Sequence, residues 1–253
     1  MKKSETRGPK LTESDILLKM IQISIQAKLY SQAAKYFQEY FSVHPLLTKE
    51  GKQLLSECYQ EQANQLRVLV KNVNQTINEA KAKNYDIVVN KLRREKVKAE
   101  EGLVALCTEF INLIDKTASP LASDVESQVF YGKLKGDYYR YICEVVEGEE
   151  REAKVAIAKS CYENALRDAG EDFKLSDPLY LGIILNFSIF QYEVLGLRDE
   201  AIERAETAFN EAVRYLDELD DEEYKQAVII LQLYKDNLLL WREERTEEVV
   251  TAK

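Results

Sequence analysis

Glycine and proline are scarce in this chain, at 9 and 4 of 253 residues. Together they make about 5%, where ordinary usage is roughly 12%, which excludes much turn-rich structure. There is one histidine, His44, so no Ser/His/Asp or Cys/His constellation and no two-histidine metal site can be assembled. Cys58, Cys107, Cys143 and Cys161 include no CxxC pair. Zinc chelation and dithiol exchange are therefore not expected, and a reduced, intracellular protein is. Glycine-rich phosphate loops are missing as well, since Gly51–Lys52 lies inside a helical pattern. No apolar run approaches the roughly 20 residues that span a bilayer, and the first residues, MKKSETRGPK, are charged with no apolar segment behind a cleavage site. The expectation is a cytoplasmic protein without a membrane partner. Positive charge is in deficit, with 35 Lys and Arg against 44 Asp and Glu, a net charge of −9. That balance disfavours nucleic acid, which selects basic faces.

What the chain does have is apolar residues recurring three and four apart, as in Ile16, Met20, Ile23, Ala27 and Tyr30, the spacing of a buried helix face. No segment alternates with period two. The pattern predicts an all-α protein of nine helices, over 12–28, 31–43, 48–82, 86–117, 123–147, 150–169, 177–195, 198–216 and 221–243. Thr12 with Asp15 at N3, Ser176–Asp177 before Pro178, and Asp220 before three acids are start signals. Gly196 after Val194–Leu195 is a stop signal. Short connections force antiparallel neighbours, hence a curved stack of hairpins with a concave face. Residues 12–244 are expected to form a single helical domain. Residues 1–11 and the acidic 245–253 are charged, apolar-poor and expected to be mobile.

Two asparagines sit among aliphatics inside helices, Asn186 in GIILNFSIF and Asn237 in KDNLLLW. Each is either a structural amide bonded to a neighbouring helix or a clamp for an extended peptide, whose backbone offers both a donor and an acceptor to a carboxamide. The segment VFYGKLKGDYYRYICE puts Lys133, Asp137, Arg140 and Tyr141 on one side of a helix. That arrangement is either an anion site in which Asp137 orients Arg140 or an ordinary surface ion pair. The cysteines lie in apolar stripes and are expected to pack in the core. Acidic pairs such as Glu149–Glu150 fall at helix starts, where they stabilise the dipole rather than perform catalysis.

VFYGKLKGDYYRYICE, DPLYLGIILNFSIFQYEVL and LQLYKDNLLLW resemble, in order and spacing, three segments of the 14-3-3 proteins. The resemblance covers roughly Leu17 to Glu244. It implies nine antiparallel helices in a cup-shaped protomer with an amphipathic groove, usually a homodimer or heterodimer formed through the first four helices. It further implies capture of phosphoserine or phosphothreonine segments of partner proteins, without catalysis, cofactor or metal. By resemblance the phosphate site is Arg67, Arg140 and Tyr141, with Lys133 nearby. Asn186 and Asn237 clamp the peptide backbone, and Glu193 holds a polar place beside it. Leu185, Ile189, Ile229, Leu233 and Trp241 make the apolar wall. Arginine forks suit a phosphate dianion, each charge-assisted bond contributing roughly 1.5–3 kcal/mol.

The sequence departs from the family pattern in two places. Gln60 stands where the family has a pocket lysine, which predicts weaker phosphate affinity or a shifted preference, and Lys71 offers partial compensation. Leu29 and Gln32 replace residues of the usual intersubunit ion pair around Tyr30. The competing expectation is a helical scaffold that binds unphosphorylated or acidic amphipathic segments.

Overall fold

The structure is a computed structural model that describes residues 11–170 and 172–251, with side chains in the last helix described as far as Thr246. Among the described residues there are nine α-helices and no strand. They are α1 (Glu13–Gln26), α2 (Tyr30–Val43), α3 (Lys49–Ala82), α4 (Asp86–Leu113), α5 (Val125–Cys143), α6 (Gly148–Ala169), α7 (Pro178–Phe190), α8 (Arg198–Arg214) and α9 (Asp221–Thr251). The chain divides into two compact units, Met1–Ala122 and Ser123–Lys253, whereas the sequence reading expects one domain over 12–244. Apart from Leu11, the N-terminal segment 1–11 lies outside the described residues.

Helix starts follow local chemistry. Thr12 accepts from the Asp15 amide at 3.2 Å while the Asp15 carboxylate accepts from the Thr12 amide at 2.9 Å, a reciprocal capping box. Asp177 accepts from the amides of Leu179 and Tyr180 at 2.8 and 3.2 Å, with Pro178 in the first turn of α7. Asp220 caps α9 in the same way through Glu222 and Glu223.

In the first unit, α1 packs on α2 and α3, and α3 lies along α4. The Tyr59 and Phe110 rings stack at 4.2 Å between the two long helices. The expected inner stripe of α1 is corrected here. Leu17, Ile21 and Ser24 face inward, while Ile16, Met20 and Ile23 are exposed. Both sets have helical spacing, so α1 carries two apolar faces and only packing selects between them. A π turn over Ile114–Ala118 prolongs α4 and keeps Ile114 and Ala118 in the core.

In the second unit, α5 and α6 approach closely because α5 offers Gly132 and Gly136 to small residues and a ring on α6. A Cβ on Gly132 would lie 3.3 Å from the Ala165 methyl, and one on Gly136 would be 2.9 Å from the Tyr162 ring. Helix α7 is central and touches α5, α6, α8 and α9. With the π turn that follows it, α7 forms an 18-residue stretch, Pro178–Leu195, long and apolar enough by length and composition to cross a membrane. This corrects the expectation that no run comes near that length. Its apolarity is spent inside the protein, where Leu181, Ile183, Leu185, Phe187 and Phe190 are buried core residues. Gly196 ends the turn in the left-handed conformation at φ 69°, as its position predicts. Helix α9 continues past 243 through Thr251, and the Arg245–Asp199 pair at 2.9 Å ties its extension to α8. The expected acidic tail therefore begins as helix, and 252–253 lie outside the described residues.

Candidate functional site

Helix α5 begins at Asp124, which accepts from the amide of Ser127 at 2.7 Å. From there Lys133, Asp137, Arg140, Tyr141 and Glu144 recur on one face. Asp137, only 4% exposed, is the hub of the cluster. Its Oδ2 accepts from Lys133 Nζ at 2.7 Å, and its Oδ1 accepts from the Tyr162 hydroxyl at 2.6 Å and from Asn186 Nδ2 at 2.7 Å. A carboxylate taken out of water needs this many donors, since a buried unpaired charge costs several kcal/mol. Lys133 reaches Asp137 across Gly182 on α7, where a Cβ would stand 3.2 Å from its Cε.

Arg140 is held differently. Its guanidinium lies over the Tyr141 ring at 4.7 Å, its Nε donates to the Tyr162 hydroxyl at 3.4 Å, and its carboxylate neighbours are distant. Asp137 is 3.9 Å away and Glu144 3.6 Å. Burial works against this charge, but Tyr162, Tyr141, Asp137 and Glu144 together more than offset it, so Arg140 stays cationic. The fork is thus aimed and charged, with no short bidentate carboxylate bond to break before it meets an oxyanion.

The two amides resolve in part. Asn186, half-buried, spends its NH2 on Asp137, and Asn237 spends its own on the Leu233 carbonyl one turn back, at 2.8 Å. Their amide oxygens have no protein partner among the described residues, so each asparagine is a satisfied structural donor with a spare acceptor. On α9, Ile229 and Leu233 are 64% and 47% exposed and lead to Asn237 along one face. Ile189 on α7 is half-buried, and Glu193 is exposed in the π turn.

Two wall residues are corrected. Leu185 is 3% exposed and belongs to the core between α7, α8 and α9, and Trp241, 2% exposed, stacks on Tyr192 at 4.6 Å. Large apolar groups on helices packed on several sides are drawn inward, so neither offers much area to a ligand. In the first unit, Arg67 on α3 is half-buried and donates to Asn64 Oδ1 at 3.4 Å, and Gln60 is exposed two turns earlier. Sequence reasoning missed Tyr162 and Glu144. A signal for Tyr162 existed: it is the one large side chain with a polar tip on a face otherwise formed by Ala158, Ala165 and Ala169. Among the described residues, no group of three or more His, Cys, Asp or Glu is placed to hold a metal ion.

A buried, oriented arginine beside amide acceptors and exposed aliphatics is an arrangement that can pair with an anionic group on a polypeptide segment. Comparison with known proteins agrees. The profile of the 14-3-3 proteins matches residues 20–242. The 14-3-3-like protein GF14-G of Oryza sativa subsp. japonica is 33% identical over 94% of this chain and 93% of its own length. The 14-3-3 protein beta/alpha-B of Xenopus laevis is 34% identical over 92% and 94%, and the 14-3-3 protein zeta of Bombyx mori is 34% identical over 90% and 92%. The chain belongs to the 14-3-3 family. Membership carries a non-enzymatic adaptor role, in general one of binding phosphorylated protein partners and forming dimers.

Proposed function

We propose that this protein captures segments of cytoplasmic partners carrying phosphoserine or phosphothreonine, with Arg140, Tyr141 and Lys133 taking the phosphate. Asn186 and Asn237 accept backbone N–H groups through their free amide oxygens, beside Glu193. Ile229, Leu233 and Ile189 meet the flanking side chains, while Leu185 and Trp241 support that surface from behind. Arg67 is assigned to the phosphate by family resemblance, and Gln60 weakens the site by one cation. The observation that carries this reading is the loosely countered Arg140 fork, 3.6 and 3.9 Å from its carboxylates.

A homodimer or heterodimer through the first four helices is supported by their exposed apolar groups, Ile16, Ile23 and Leu29 on α1 and its exit, and Tyr85, Ile87 and Val88 where α4 begins. With Leu29 and Gln32 in place of charges, contact there is apolar rather than ionic. The second reading, a scaffold for unphosphorylated or acidic amphipathic segments, is favoured by one observation. Lys133 and Arg140 are matched by Asp137 and Glu144, so the cluster has no net formal charge.

Fluorescence-anisotropy titration of a labelled Arg-Ser-x-pSer-x-Pro peptide and its unphosphorylated twin separates the two. Under the first reading only the phosphorylated peptide binds, and Arg140→Ala removes that binding. Equal affinity for both peptides, unaffected by the substitution, establishes the second.

A further inference from the structure

The second unit contains a cavity of about 570 Å³ lined by α8, α7, the end of α6 and Leu175 before α7. The volume is that of a small-molecule site, for which roughly 300–1,000 Å³ is usual. Its floor is apolar, made by Leu166, Tyr180, Ile184 and Ala208. Tyr180 and Ile184 lie on the opposite side of α7 from Gly182, Asn186 and Ile189, at 100° per residue. The cavity is therefore a different surface from the proposed peptide site.

Its rim carries Glu200, Glu203 and Glu211, at i, i+3 and i+11 on one face of α8. None of the three pairs with a cation or shares a side-chain hydrogen bond among the described residues. Their neighbours Asp199 and Glu206 do pair, with Arg245 and Arg242. The one basic lining residue, Arg204, is committed elsewhere: its Nε donates to Gln191 Oε1 at 2.8 Å and its guanidinium lies over the Phe187 ring at 4.9 Å. An apolar floor under uncompensated carboxylates is complementary to a cation on an apolar body.

We propose that this cavity is a second ligand site, taking a small cationic amphiphile: a protonated amine or guanidinium on an aromatic or branched aliphatic body. The body lies on Tyr180 and Ile184, and the head meets a carboxylate of the rim, Glu203 or Glu211.

The test uses the full chain and the fluorescent primary amine dansylcadaverine, with its uncharged N-acetyl derivative as control. Binding of the amine raises its emission and shifts it to the blue. Loss of charge-assisted bonds predicts at least about tenfold weaker binding of the acetyl derivative. The Glu203→Gln/Glu211→Gln double variant is expected to weaken the amine to a similar degree. Thr207→Trp, which fills the cavity from an exposed position, is expected to exclude it. Both variants alter accessible side chains, and unchanged thermal melting shows that the fold is retained. A saturating phosphopeptide leaves the amine bound. The proposal is overturned by absence of binding, by equal affinity for the two probes, by variants that bind as the parent does, or by displacement with the phosphopeptide.

Discussion

The Tyr162 hydroxyl donates to Asp137 Oδ1 at 2.6 Å, from the helix behind the one that carries Arg140. Burial, reinforced by the Asp137 charge, pushes the tyrosine pKa well above its ordinary value, so the hydroxyl remains a donor at neutral pH. The bond anchors a carboxylate that in turn positions Lys133 and Asn186.

Tyr162→Phe keeps the ring against Phe187, 5.5 Å away, and removes both hydroxyl bonds, the one donated to Asp137 and the weaker one accepted from Arg140 Nε. A hydrogen bond to a buried charge contributes about 1.5–3 kcal/mol. Stability in urea is expected to fall by about 2 kcal/mol. Phosphopeptide affinity is expected to fall as well, as Asp137 loses its anchor. Unchanged affinity at lowered stability would show that Tyr162 is structural only.

Gln60→Lys adds the cation that the family resemblance implies at this place on α3. The expected outcome is severalfold tighter phosphopeptide binding and a steeper dependence on salt, since a partly exposed charge pair contributes up to about 1 kcal/mol. Anisotropy at two ionic strengths measures both effects. Arg67→Ala, in the same assay, tests the residue that resemblance alone assigns to the phosphate.

Asp177 gives a pH signature. Burial raises its pKa, against the lowering effect of the Tyr180 and Leu179 amides that it caps. A carboxyl whose folded pKa lies above its unfolded value near 3.9 binds protons more readily in the native state. Its ionisation therefore costs stability as pH rises through the folded value. Asp177→Asn retains an N-cap and removes that cost. The variant is expected to be at least as stable as the parent at pH 7, with the difference shrinking as pH falls through the raised folded pKa toward 4. Denaturant titrations across that range measure it.

The thiols divide by burial. Cys58, Cys107 and Cys143 are buried and Cys161 is half-exposed. Burial pushes the Cys58 thiol up to about 12 and Cys143 up to about 11, leaving little thiolate at either site at pH 8. Ellman's reagent is expected to label one thiol per native chain quickly and all 4 in denaturant. Cys161→Ser is expected to abolish the fast phase.

The helices were legible because their signals are local. A cap such as Thr12 with Asp15, or a stop such as Gly196, needs only the few residues around it. The face formed by Lys133, Asp137 and Arg140 was legible for the same reason, being set by the period of one helix. The inner side of α1 was not, because Ile16, Met20 and Ile23 have the same spacing as the residues that are buried. Nor was the membrane-length run of α7 separable by composition from a core helix surrounded by four others.

By itself the sequence determined an all-helical chain, its helix starts and stops, and the candidate arginine, lysine and asparagine positions. Only the tertiary structure decided that Asp137 would gather Tyr162 and Asn186, which lie 25 and 49 residues away, and that Leu185 and Trp241 would turn inward. It also decided that Glu203 and Glu211 would rim a cavity. Periodicity orients a side chain about its own helix axis, but which faces meet depends on contacts distant along the chain, where close packing and charge satisfaction select one arrangement.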